Sequence, residues 1–183
     1  MPLKLTDVSR ALSHALRHEP WLYELELDED GWAPLDAVLT ALRTENAEWA
    51  NLAQSDIERM IEASSKRRHE LDGERVRALY GHSIPGKLRR EVGVPPPILF
   101  HSTSPEAALI IERDGLAPMS RQYVHLSVDE ATAREVGRRK ARAPVLFAVD
   151  AQAAQAAAVV FYVGNDKVWL ADRVPARFLR VIS

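Results

Sequence analysis

Arg68-His69-Glu70-Leu71-Asp72-Gly73-Glu74-Arg75-Val76-Arg77-Ala78-Leu79 is the stretch at which the chain changes its period. Upstream of it, apolar residues recur three and four apart. Within it they fall around Asp72-Gly73, a dipeptide that favours the primed turns of hairpins. The stretch therefore predicts a β-hairpin that follows a run of helices.

The helices upstream follow from the same rule. Leu5, Val8, Leu12, Ala15 and Leu16 share one face of a helix over residues 5–18, which Pro20 forbids from continuing. Arg17 and His18 stand at its C-terminal end. There they complement the macrodipole or, with further cations, form part of an anion site. Asp30-Gly31 reads as a turn, with Trp32 as an anchor beside it. Pro34 opens a second helix through Leu35, Val38, Leu39 and Leu42. Ser55 is the expected cap of a third, with Ile57, Met60 and Ile61 on its apolar side. Helices followed by a hairpin suggest a winged-helix-like module.

Downstream, residues 81–86 are too rich in turn formers for regular structure, and Gly93-Val94-Pro95-Pro96-Pro97 is the clearest linker. A boundary there gives domains at 1–92 and 93–183. The second half opens with a strand, Ile98-Leu99-Phe100-His101. A helix follows, capped by Ser104, with Pro105 at its first position and Gly115 past its end. Residues 124–127 read as a strand and 129–140 as a helix, with further strands near 145–149, 159–163, 168–170 and 178–182. Many short strands with two helices suggest an α+β domain with a split or sandwiched sheet.

Composition bounds the function. The 183 residues carry a net charge of -2 and 46% hydrophobic content, enough for a normal core, and no cysteine, which excludes disulfides and thiolate zinc sites. The amino terminus has no apolar leader-like run, and no window approaches the ~18 apolar residues of a membrane span. A cytoplasmic protein, with no membrane partner, is expected. Charge is uneven: residues 66–91 hold eight cations, Lys66, Arg67, Arg68, Arg75, Arg77, Lys87, Arg89 and Arg90, against four carboxylates. Such a stripe is a solvated face or a local phosphate site.

His101 and His125 each sit in an apolar strand and are followed by hydroxyl residues, Ser102-Thr103 and, after Leu126, Ser127. Two such strand ends can line one cleft with hydrogen-bonding groups. No third ligand lies at a recognisable spacing, so no metal is expected. Arg121 lies on the loop entering the His125 strand, and Arg138-Arg139-Lys140 ends a helix, where cations suit the dipole.

Together these pieces resemble the RNA 2′-phosphotransferase (tRNA 2′-phosphotransferase) family from end to end. The matching pieces are Leu12-Ser13 with Leu16-Arg17-His18; Asp30-Gly31-Trp32; Lys66-Arg67-Arg68; Val76-Arg77-Ala78 with Gly81-His82-Ser83; Leu99-Phe100-His101-Ser102-Thr103; Gly115-Leu116 with Met119-Ser120-Arg121; Val124-His125-Leu126-Ser127; and Val168-Trp169-Leu170 with Val174-Pro175. The resemblance implies a winged-helix-like amino-terminal lobe and a carboxy-terminal NAD-binding lobe of ADP-ribosyltransferase type. It also implies removal of an internal RNA 2′-phosphate of the tRNA splice-junction kind, with NAD as co-substrate. The phosphate displaces nicotinamide from NAD to give an ADP-ribosylated RNA. The ribose 2″-hydroxyl then attacks phosphorus, leaving 2′-hydroxyl RNA and ADP-ribose 1″,2″-cyclic phosphate.

By motif, the family's catalytic set falls on Arg17, His18, Arg68 and Arg121. NAD binding falls on His101, Ser102, Thr103, His125, Leu126 and Ser127, and further RNA or phosphate contacts on Lys66, Arg67, His82, Ser83 and Arg139. The residue types suit the reaction. A phosphate dianion is already a nucleophile, arginine grips phosphate oxygens in pairs, and a histidine can move a proton at neutral pH. Where related protein-modifying transferases often place a glutamate, the stretch around Val168-Trp169 is apolar, which leaves the 2″-hydroxyl free to react. The chain departs from the family pattern at Ser102 for glycine, Ser64-Ser65 for Asn-Asp, Tyr80 for glutamine and Asn165-Asp166-Lys167 for Asn-Gly. The expectation is that Ser102 puts a side chain where the backbone would approach nicotinamide. Two alternatives remain at this stage: an ADP-ribosyltransferase that stops after the first step and caps 5′-phosphates or another acceptor, and a non-catalytic winged-helix nucleic-acid binder. A monomer is expected.

Overall fold

A computed structural model describes residues 2–80, 90–119 and 121–182. It has a mixed α and β architecture with two antiparallel sheets, and its contacts divide into two compact units, Met1–Pro85 and Gly86–Ser183.

In the first unit, α1 (Leu5–Arg17) buries Val8, Leu12, Ala15 and Leu16, the face expected from their spacing. Pro20 opens a short 3-10 turn, Pro20–Tyr23. The Asp28 carboxylate accepts the amides of Asp30 and Trp32, both at 2.9 Å, and so closes the turn around Gly31. The strand β1 (Ala33–Pro34) leads into α2 (Leu35–Glu45), which buries Leu35, Val38, Leu39 and Leu42. The third helix, α3 (Gln54–Ala63), starts before Ser55, which lies exposed inside its first turn. The expected cap is displaced because the Asp56 carboxylate reaches back to the Ala53 amide at 2.9 Å and does the capping work itself. That bond, and the Arg59 guanidinium beside it, hold the Asp56 carboxyl below its ordinary range.

The hairpin is β2 (His69–Asp72) and β3 (Arg75–Ala78), with Asp72 paired to Arg75. Its two-residue loop is Gly73-Glu74, one residue beyond the dipeptide read from sequence. Gly73 supplies the positive φ, +60°, that a primed turn demands of its first residue. β1 pairs with the far edge of β3, giving the order β1-β3-β2.

The second unit is a seven-stranded sheet ordered β10-β7-β5-β6-β9-β8-β4. Its strands are β4 (Glu91–Val92), β5 (Ile98–Thr103), β6 (Val124–Ser127), β7 (Val145–Asp150), β8 (Phe161–Val163), β9 (Val168–Ala171) and β10 (Leu179–Val181). Glu91 and Val92 pair with Val163 and Tyr162, so residues placed before the expected boundary belong to this sheet. The proline stretch is therefore inside the unit, with Pro95 buried.

Ser104 caps α4 (Pro105–Asp114), and Asp129 caps α5 (Glu130–Lys140). The alanine-rich stretch forms a third helix that the sequence reading leaves out, α6 (Ala151–Ala156), capped by Asp150. Leu99, Val124, Leu126, Val149, Phe161 and Ala171 centre the core. Among the described residues, no helix is long and apolar enough to cross a membrane.

Candidate active site

The first unit gathers cations where α1 ends. From there the Arg17 Nη2 donates to the Arg68 carbonyl at 3.4 Å, and its guanidinium lies 4.9 Å from the Tyr80 ring centre. The Lys66 ammonium lies over the same ring at 5.0 Å, so one exposed aromatic holds two cations. Ser64 Oγ donates to the Lys66 carbonyl at 2.6 Å and receives a long contact from Arg68 Nη1, which shapes the turn carrying exposed Lys66, Arg67 and Arg68. Arg17 Nε is buried without a hydrogen-bond acceptor among the described residues. His18 is the half-buried residue that ends α1.

Beneath this cluster lies a residue to which the sequence reading gives no role. His69 is only 2% exposed, and its Nε2 shares a 3.1 Å hydrogen bond with Ser13 Oγ. Burial first, then the Arg17 and Arg68 charges, push its pKa down to about 4, so the ring is neutral at neutral pH. A histidine in an alternating strand carries no local signal of this; the signal is spatial.

The rest of the basic stripe does different work. Arg77 pairs with Glu70 at 2.8 Å and Arg75 with Asp72 at 2.9 Å, and both guanidiniums lie 4.4 Å from the Trp32 ring centre. Trp32 is an anchor, as expected, and these two arginines cover it. Among the described residues no carboxylate pairs with Arg17, Lys66, Arg67 or Arg68.

In the second unit, the sheet opens at its centre. On one edge β5 pairs through six residues with β7, and β6 pairs through four with β9. Between β5 and β6, among the described residues, the ladder holds one pair, Phe100 with Ser127. Beyond it the strands part, and His101 turns its ring to the His125 carbonyl, with Nδ1 3.0 Å from the oxygen. A carbonyl only accepts, so Nδ1 carries the hydrogen and in the neutral ring Nε2 is the acceptor. Thr103, His125 and Ser127 are buried polar residues of the same two strands.

Leu126 and Ser102 have packed surroundings of their own. Leu126 is in the core. Ser102 points the opposite way from His101 and Thr103, since strand residues alternate. A Cβ on Gly137 of α5 would lie 2.0 Å from Ser102 Oγ, so the glycine makes the room this serine occupies. The Ser102 side chain is thus buried against α5, its Oγ without a hydrogen-bond partner among the described residues. Lys140 donates to the Ser102 carbonyl at 3.2 Å and ties the strand end to α5.

Arg121 is half-buried on the segment before β6, just after Met119, whose φ of +59° marks a tight bend. Its amide donates to the Pro118 carbonyl at 3.1 Å. Arg139 is half-buried in the last turn of α5. His82 and Ser83 lie outside the described residues.

Comparison with known proteins agrees over nearly the whole chain. Residues 4–173 match the family model described as RNA 2'-phosphotransferase, Tpt1 / KptA family. A protein of Bacillus thuringiensis subsp. konkukian named "Probable RNA 2'-phosphotransferase" is 51% identical over 176 residues, covering 96% of this chain and 95% of its own. Proteins of the same name from Acetivibrio thermocellus and Streptomyces coelicolor are 44% and 40% identical; they cover 96% and 97% of this chain and 96% and 95% of their own.

Proposed function

The chain belongs to the RNA 2′-phosphotransferase, Tpt1 / KptA, family, and from that premise we propose that it removes an internal 2′-phosphate from RNA of the tRNA splice-junction kind by transferring it to the ADP-ribose of NAD. In this reading the first unit is a winged-helix-like lobe that meets the RNA. The second is a lobe of ADP-ribosyltransferase type that takes NAD as co-substrate.

The observation that carries the reading is the cation cluster at the end of α1. Arg17, Lys66, Arg67 and Arg68 gather without a carboxylate partner among the described residues, and Arg17 Nε is buried without an acceptor. An unneutralised guanidinium group with an idle buried donor suits a phosphate, whose oxygens take paired N–H bonds.

Arg17, Arg68 and Arg121 orient the 2′-phosphate so that one of its oxygens attacks the ribose carbon bearing nicotinamide. They stabilise the charge that spreads over the phosphoryl oxygens when the 2″-hydroxyl displaces the RNA 2′-oxygen in the second step. His18 serves that step as acid and base or as a further phosphate ligand. His101, Ser102, Thr103, His125, Leu126 and Ser127 hold NAD, with the His101 ring as an acceptor for a ribose hydroxyl. Lys66, Arg67, His82, Ser83 and Arg139 engage phosphates of the RNA.

The test mixes the protein with NAD and a short RNA bearing one internal 2′-phosphate and resolves the products by mass. The expected result is nicotinamide, 2′-hydroxyl RNA and ADP-ribose 1″,2″-cyclic phosphate. No nicotinamide release overturns the reading. Lasting accumulation of ADP-ribosylated RNA overturns its second step and leaves a transferase that stops at the first.

A further inference from the structure

We propose that Ser13 and His69 are a positioning pair, fixing the end of α1, and with it Arg17, against the start of β2, from which Arg68 projects. The inference rests on the reading above, in which both arginines grip the 2′-phosphate.

Ser13 and Arg17 are four residues apart on α1 and so share one face, a turn apart. Arg68 and His69 are neighbours at the entry to β2. The structure joins these two edges twice, by Ser13 Oγ with His69 Nε2 at 3.1 Å and by Arg17 Nη2 to the Arg68 carbonyl at 3.4 Å. A single tie between a helix end and a strand is a pivot. Two ties a turn apart stop the rotation.

They are unequal in strength. The arginine contact is long and exposed, a weak bond open to competition from water. The other tie ends on a ring that is 2% exposed and sits in register opposite Ala78, so it is shielded from exchange with solvent. The Arg68 carbonyl is itself anchored by the Leu79 amide at 3.0 Å. The Ser13–His69 bond is therefore the dependable half of the frame.

Imidazole also suits the place electrostatically. A cation beneath Arg17 and Arg68 would repel both, whereas a neutral ring holds the helix end without adding charge. The guanidinium charges stay available for the substrate.

The experiment uses the full chain and measures steady-state kinetics with NAD and the 2′-phosphorylated RNA for Ser13→Ala, His69→Phe, His69→Gln and the double variant S13A/H69F. Ser13→Ala is the mild probe, since it leaves the buried volume at His69 intact. The expected result is a fall in kcat of about tenfold in both Ser13→Ala and His69→Phe, because misplacing a charged group by a fraction of an ångström is costly. The KM for NAD stays within about twofold. The double variant is no worse than His69→Phe, and His69→Gln, which keeps a hydrogen-bonding nitrogen, recovers most of the rate. A structural role alone would lower thermal stability and leave kcat per folded molecule unmoved. Wild-type kcat in Ser13→Ala and His69→Phe, or losses that multiply in the double variant, would overturn the pairing. An inactive wild type would instead overturn the phosphotransfer reading on which the pairing stands.

Discussion

Two clusters of the first unit each set two cations on one aromatic ring and differ in what faces them. At Trp32, Arg75 and Arg77 stack on an indole and each meets a carboxylate. At Tyr80, Arg17 and Lys66 stack on a phenol, and among the described residues neither meets one. The first cluster is electrostatically closed, so its arginines act as a lid for an aromatic anchor. The second is open, and open positive charge is an invitation to an anion. Charge counted along the stripe cannot separate the two; its pairing in space does.

The comparison is broken most severely by removing a cation from the open side. Arg68→Ala is expected to lower kcat/KM for 2′-phosphorylated RNA by roughly 10²- to 10³-fold, the usual loss for one charge-stabilising donor, and Arg121→Ala in the second unit by a similar factor. The thermal midpoint should move by no more than about 2 °C, because neither arginine supports the core. An unchanged rate in either variant removes that residue from the site.

Acid probes the neutral ring under the open cluster. The unfolded chain protonates His69 near its ordinary 6.5, whereas the folded chain resists until about 4. Its contribution to stability is therefore complete above pH 6.5 and is lost as pH falls through that window toward 4, with a ceiling of about 3 kcal/mol. Denaturant melts between pH 7 and pH 4.5 should show the loss, and His69→Phe should flatten it.

Closing the open cluster artificially is a gentler test. Tyr80→Glu sets a carboxylate beside Arg17 and Lys66, and kcat/KM for the RNA should fall roughly tenfold while the KM for NAD holds. The smallest effect comes from opening the closed cluster. Glu70→Gln frees Arg77 at a cost below about 1 kcal/mol in chemical denaturation, with turnover within about twofold of wild type.

Much of the fold was legible because its signals are local. Periodicity marks α1 and α2, and Ser104, Pro105 and Gly115 delimit α4 without help from distant residues. What escaped depends on partners far along the chain. β1 and β4 are two-residue strands that exist only because β3 and β8 pair with them. α6 is a short alanine run set in place by the Asp150 cap and by the Gln152 amide reaching the Pro97 carbonyl at 3.1 Å. The third helix starts ahead of Ser55 because the Asp56 carboxylate reaches back to the Ala53 amide and closes the first turn earlier.

The candidate site divides the same way. Motif and residue type mark Arg17, Arg68, His101 and His125 as candidates. The contact of Arg17 with a carbonyl 51 residues away, and the serine that shelters against Gly137, were not in any local pattern. His69 looked like one more hairpin residue because its partner, Ser13, is 56 positions upstream.

One consequence of α1 concerns how such a sequence can drift. A helix keeps count: each residue turns it by about 100°. Exchanging one apolar side chain for another on its inner face disturbs packing that neighbours can absorb. Inserting or deleting a single residue between Leu12 and Arg17 would instead swing Arg17 away from Arg68 while leaving every residue type in place. This segment can therefore tolerate spelling changes but not changes of length, and its permitted history is one of substitutions.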